Sequence, residues 1–248
     1  VVVRGAGVCA ADRERLRRLR VTQADCDAET LTARLREELD LKHLTRGFFK
    51  ALRRVHKAMT EAVTGTGLTD EQRADQALLT LNRLLFLYFV QRKGLLGGRQ
   101  DFLRAEVRRV RAQGGKIYRR LLSPLFFGAL NSPVAERDAS ALALGEIPYL
   151  NGGLFEPSAL ERRRPLMEIK DEALNLAFDT LLERYAFVTQ EDGHGLGVDP
   201  EVLGRAFESL MSQVERGTTG TFYTPRPLVE SLVEEGLCQL LVHFGASE

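Results

Sequence analysis

Apolar residues recur along much of this chain at three- and four-residue intervals, the spacing of one face of an α-helix. Leu31, Leu35, Leu39, Leu44, Phe48, Leu52, Val55 and Met59 form such a row, which predicts helix between Ala28 and Val63. Thr64-Gly65-Thr66-Gly67 ends it. Asp70 to Lys93 is the most apolar segment, and a helix that is hydrophobic nearly all round is a buried one. It is expected to form the centre of a bundle, with Gly94 as C-cap. Asn82 and Arg83 lie inside this segment and need partners there, because an unpaired buried charge is costly. For Arg83 an acidic neighbour is the plain expectation and a polar ligand the alternative.

Phe102 to Ala112 predicts a helix with Leu103, Val107 and Val110 inward and Arg104, Arg108 and Arg111 outward. Leu121 to Leu130, broken by Pro124, should pack on the bundle. Asn131 to Gly145 reads as loop and short helix. In Ile147 to Phe155, turn residues Asn151-Gly152-Gly153 interrupt an irregular loop that Tyr149, Leu150, Leu154 and Phe155 should pin to the core. Asp171 to Tyr185 turns Leu174, Phe178, Leu181 and Leu182 inward. Phe187 to Val198, rich in glycine and acid, reads as a linker, and Pro200 opens a helix to Met211. A last helix, Pro225 to Phe244, carries a wide apolar stripe that includes Leu228, Val229, Leu232, Val233 and Leu237. The pattern predicts a mainly α protein, a helical bundle.

Composition bounds this picture without changing it. With 248 residues, 44% hydrophobic and 28% charged, the chain can bury a core in one domain or two and has an ordinary globular balance. The longest apolar run, Leu84 to Val90, is far short of the ~20 residues of a membrane helix, so no membrane partner is expected and a cytoplasmic location is the default. Cys9, Cys26 and Cys238 suit neither a disulfide framework nor a zinc site, and no metal is expected. The Val1 start suggests a segment of something longer or an unusual start codon.

The net charge of +1 does not announce a nucleic-acid binder, but its distribution is uneven. Arg104, Arg108, Arg109, Arg111, Lys116, Arg119 and Arg120 stand against Glu106 alone, a local excess of +6. This stretch is the first candidate for contact with DNA phosphates. Lys42, Arg46, Lys50, Arg53 and Lys57 form a second stripe, whose spacing suits a phosphate backbone or, more plainly, a solvated helix face. His43 and His56 have no partner at metal-ligand spacing. Glu168-Ile169-Lys170 has the E-x-K spacing of a metal-dependent nuclease but lacks the preceding Asp on a neighbouring strand. The run Gly5-Ala6-Gly7-Val8-Cys9-Ala10 imitates a dinucleotide fingerprint, yet the alternating strands and helices it requires do not follow.

Thr219-Gly220-Thr221-Phe222-Tyr223-Thr224-Pro225 is the most informative stretch. Gly220 permits close approach to the backbone, and Thr224-Pro225 reads as a hydroxyl cap followed by a first-turn proline. Free N–H groups at such a helix start can hold a carboxylate or phosphate, although many capped loops bind nothing. Gly220 to Pro225 resembles the G-x-[FY]-[YF]-T-P motif of adenine-specific DNA methyltransferases, and Asp199 to Leu210 ahead of it is also similar to that family. Leu81-Asn82-Arg83-Leu84-Leu85-Phe86-Leu87-Tyr88-Phe89 and Ile147-Pro148-Tyr149-Leu150-Asn151-Gly152-Gly153-Leu154-Phe155-Glu156 are similar to the helical region ahead of the methyltransferase domain in single-chain type IIG restriction–modification enzymes and their phage-defence relatives.

The resemblance implies S-adenosylmethionine as cofactor, with residues Thr219 to Pro225 over its methionine end, and double-stranded DNA as partner. It also implies a division into a poorly defined segment 1–27, a helical connector 28–198 and the start of a methyltransferase domain, 199–248, truncated here. The Gly-rich cofactor turn and the [DN]-P-P-[YF] motif that receives a flipped adenine do not occur in the sequence. Both are expected after Glu248, in the methyltransferase and target-recognition regions of the same protein, so the segment alone should not catalyse. A non-enzymatic helical scaffold of a defence complex is the alternative.

Overall fold

A computed structural model describes residues 41–150, 152–188, 197–198, 200, 202–204 and 226–245. The chain divides into two compact units, Val1–Asp199 and Pro200–Glu248. The architecture is mainly helical, as the periodicity predicts, and among the described residues the named strands form one two-stranded sheet. No helix among them is long and apolar enough to cross a membrane.

The first unit is built around two long helices, α1 (Leu41–Ala62) and α2 (Asp70–Arg92). Phe48, Leu52, Val55 and Met59, spaced four, three and four apart, are completely buried, so α1 has a dry face set by its sequence. Around α2, Ala77, Leu81, Leu84, Leu85 and Leu87 are equally buried. Both ends of α2 are fixed locally. Thr69 accepts from the Gln72 amide at 3.1 Å while the Gln72 side chain accepts from the Thr69 amide at 3.1 Å, a capping box. At the other end Gly94 sits at φ 72°, its amide bonding Gln91 O, and the next amide, of Leu95, bonds Val90 O. That is the Schellman closure that the Gly94 cap predicts.

α1 ends in β1 (Val63–Thr64), which pairs antiparallel with β2 (Glu168–Ile169). Arg73 of α2 donates to the Val63 carbonyl and secures this corner. Further helices are α3 (Phe102–Ala112), α4 (Ala139–Leu142), α5 (Ala159–Arg163) and α6 (Asp171–Ala177). α6 passes into a π-helical turn at Phe178–Leu182, and Leu174, Phe178, Leu181 and Leu182 are buried as the spacing predicts.

Three local expectations are corrected. Pro124 does not break its segment, which continues as π-helical turns over Tyr118–Leu122 and Pro124–Leu130. The Ser123 amide reaches back five residues to Tyr118 O; a widened turn moves aside the carbonyl that a proline ring would strike in an α-helix. Phe187 to Val198 is not simply a linker. Phe187 and Val198 form a parallel bridge, Val198 is fully buried, and the Phe187 ring lies 5.0 Å from Tyr88 and 5.3 Å from Phe89. A Cβ at Gly197 would come within 2.7 Å of Ala186 O, so only glycine passes here. Tyr149 is exposed rather than packed inward, and Ile147 and Phe155 are the residues that bury the loop.

In the second unit, α7 (Arg226–Gly245) exposes Val229, Leu232, Val233 and Leu237.

Candidate nucleic-acid interface

The buried polar centre of the first unit is Arg83, whose side chain is completely inaccessible. α2 carries it into the core, and α5 brings Glu161 to meet it. Arg83 Nη1 donates to Glu161 Oε1 at 2.7 Å and Nη2 to Glu161 Oε2 at 3.1 Å, a two-pronged contact. The remaining donors reach backbone: Nε to Leu154 O at 2.7 Å and Nη2 to Glu156 O at 2.9 Å. The guanidinium also lies over the rings of Phe126 and Phe127, 5.4 and 5.2 Å from their centroids.

Glu161 is positioned by its own helix start, where it accepts from the Ser158 amide at 2.8 Å and Ser158 Oγ accepts from the Glu161 amide. Gln76 adds a third donor at 2.8 Å. Burial pushes the Glu161 carboxyl up, but the bonds from Arg83, Ser158 and Gln76 outweigh it and hold it below the usual carboxylate range. Nearby Tyr118 is raised, first by burial and then by the Glu161 charge. Of the two readings for Arg83, the acidic neighbour is the one realised. Asn82 departs from expectation: its buried Oδ1 has no partner among the described residues.

The interaction explains why two stretches far apart in sequence, Leu81 to Phe89 and Ile147 to Glu156, belong together. The loop has too little regular structure to satisfy its own carbonyls, and Arg83 satisfies two of them.

The candidate phosphate-binding stretch lies on α3 and the π-helical segment after it. Its outward face is as predicted, with Leu103, Val107 and Val110 buried and all seven cations exposed. Five of them, however, meet acceptors within the protein. Arg104 lies 3.6 Å from Glu183, and Arg109 donates to Glu106 at 2.7 Å. Arg111 donates to Asn175 at 2.7 Å and to Asp179 at 3.2 Å. Lys116 and Arg119 both donate to Glu168, the former at 2.5 Å. Arg108 and Arg120 have no ionic partner among the described residues.

Glu168 therefore serves as an internal counter-ion. Burial pushes its carboxyl up, but Lys116 and Arg119 more than offset this and hold it low. The pairing of β2 with β1 carries Glu168 to these cations. Sequence reasoning missed this neutralisation, because Glu168, Asn175, Asp179 and Glu183 lie dozens of residues from the cations they meet. Only Glu106, three residues before Arg109, left a local signal.

The candidate cofactor residues Thr219, Gly220, Thr221, Phe222, Tyr223, Thr224 and Pro225 lie outside the described residues, as do His194, Asn151, the 199, 201 and 205–210 parts of the lead-in and the glycine run near Val1. α7 begins at Arg226, directly after the Thr224-Pro225 pair. His56 is a packing residue, its Nε2 lying 3.2 Å from Ala74 O.

With this arrangement in view, the chain belongs to the family described as "Domain of unknown function (DUF7814)", whose pattern matches residues 20–194. It is also similar to a curated protein of Methanocaldococcus jannaschii named "Putative type II restriction enzyme and methyltransferase RM.MjaORFECS2P". The two are 30% identical over 192 residues, which covers 73% of this chain and 16% of the relative. No solved structure matches the chain.

Proposed function

We propose that this chain is the helical part of an adenine-specific DNA methyltransferase of the single-chain type IIG kind, acting in restriction–modification or phage defence. The observation that carries this reading is the similarity, over 73% of the chain, to a protein whose name joins restriction and methyl transfer. Because the chain spans only 16% of that relative, the reaction is assigned to a whole protein of which these residues form one region.

In that reading S-adenosylmethionine, when bound, supplies the methyl group that the adenine amine receives. The chemistry of residues 219–225 suits its methionine end. Gly220 leaves room for main-chain approach, Phe222 and Tyr223 offer apolar walls, and free amides at a helix start favour a carboxylate. The helix that starts at Arg226 is consistent with that role for Thr224-Pro225. The helical unit contributes spacing between domains and contacts to the DNA backbone, for which Arg108 and Arg120 are the available cations of the Arg104–Arg120 stretch. The others exchange exposed ion pairs for phosphates, and such pairs are individually weak.

The test is S-adenosylmethionine binding by calorimetry on the full-length protein. Gly220→Val should obstruct backbone approach and Phe222→Ala should open the pocket wall, each weakening binding with helical content unchanged. Parent-like affinity in both variants would remove the cofactor role. A full-length protein that binds neither cofactor nor DNA would favour the scaffold alternative.

A further inference from the structure

The second cationic stripe, on α1, differs from the first in its partners. Arg46, Lys50, Arg53, Arg54 and Lys57 are all exposed. At about 100° per residue they occupy an arc of about 100° on the helix. That arc lies opposite the fully buried Phe48, Leu52, Val55 and Met59. Only one carboxylate shares it: Glu61, which stands 4.0 Å from Lys57 while both side chains remain well exposed, at 67% and 80%. Arg46, Lys50, Arg53 and Arg54 have no ion-pair partner among the described residues. On the Arg104–Arg120 face, by contrast, four carboxylates absorb most of the charge.

We infer that the outward face of α1, through Arg46, Lys50, Arg53 and Lys57 with Arg54 at its edge, is the surface that lies along the phosphate backbone of duplex DNA. The inference rests on the DNA reading above and assigns that contact to residues it does not use. From residue 46 to 57 a helix rises ~16 Å, over which one DNA strand presents about five phosphates. A rigid helix whose other face is locked into a core holds such a row of charge in register. The same locking removes the apolar side that an amphipathic helix would insert into a membrane, which favours a duplex over a lipid surface. Phosphate contacts position a protein without reading bases, so this row predicts affinity without sequence preference.

The experiment measures binding of the full chain to a random-sequence 30-base-pair duplex across a salt series. The quadruple variant Arg46→Gln, Lys50→Gln, Arg53→Gln, Lys57→Gln should lower the slope of log affinity against log salt by about 3.6, at about 0.9 per phosphate contact. Raising salt fourfold then costs the variant about a hundredfold less affinity than it costs the parent. The charge-keeping variant Arg46→Lys, Arg53→Lys should retain the parent slope, and the thermal midpoint should hold because every altered residue is on the surface.

Three results overturn the inference alone. One is an unchanged slope in the quadruple variant of a parent that binds DNA, which leaves the DNA reading itself standing. Another is an equal loss per residue on replacing the exposed Arg162, Arg163 and Arg164 with Gln, which would reduce the effect to net charge. The third is parent binding to polyglutamate of matched charge as tight as to the duplex, which would make the stripe a dock for acidic polypeptides. A parent that binds no duplex at all overturns the DNA reading and this inference together.

Discussion

Replacing Glu161 with glutamine keeps the side chain's size and removes its charge, leaving the Arg83 guanidinium buried with no counter-ion. Arg83 is inaccessible to solvent and Glu161 nearly so, at 0% and 5% side-chain exposure, so water cannot restore what the carboxylate provided. Breaking one side of such a buried pair costs about 3–5 kcal/mol, a large part of the ~5–15 kcal/mol that holds a domain folded. Arg83→Met should cost a similar amount, since it strands the carbonyls of Leu154 and Glu156 at about 1–3 kcal/mol each. The double variant removes the uncompensated charge but not the stranded carbonyls, so its loss should fall short of the sum by at least ~2 kcal/mol. Urea denaturation of the four proteins closes the cycle.

The pH dependence gives a second reading of the same pair. Glu161 is held below its ordinary value when folded, so its contribution is present above the unfolded-state value and lost as pH falls through the lower folded one. The gap between parent and Glu161→Gln should therefore be largest near neutrality and shrink below about pH 4.3. Additive losses in the cycle, or a gap that is flat down to acid pH, would refute the claim that charge pairing holds this loop.

Two further outcomes follow from other contacts. Tyr88 donates to Glu183 at 2.5 Å from a buried site, and its hydroxyl is raised first by burial and then by that carboxylate. In an alkaline absorbance titration it should therefore stay protonated past the ordinary tyrosine range, with its stabilising effect lost only as pH rises beyond it, and Tyr88→Phe should cost about 1–3 kcal/mol. α7 leaves Val229, Leu232, Val233 and Leu237 exposed, so tertiary packing adds little to a helix of marginal intrinsic stability. Its amides should exchange with deuterium much faster than those of Leu81 to Leu87 in α2, and equal protection in a monomer would contradict the exposed face.

What the sequence determined by itself is what depends on neighbours three or four residues away. The buried row of α1, the inward faces of α3 and α6, the apolar wrap of α2 and its Gly94 stop all come from helical periodicity and local backbone preference. That Arg83 needed a counter-ion could also be read, since a charge inside an apolar helix has few other fates. Which residue answered it could not, because Glu161 arrives from another helix through a chain path that periodicity does not encode. The same limit governs the basic faces. Seven cations between Arg104 and Arg120 look like an open surface in sequence, and the carboxylates of β2, of Asp179 in the π-helical turn after α6 and of Glu183 close most of it. The α1 stripe looked the plainer of the two and kept its charge. Electrostatic potential at a surface is a sum over everything within several ångströms, and only the tertiary structure decides which charges those are.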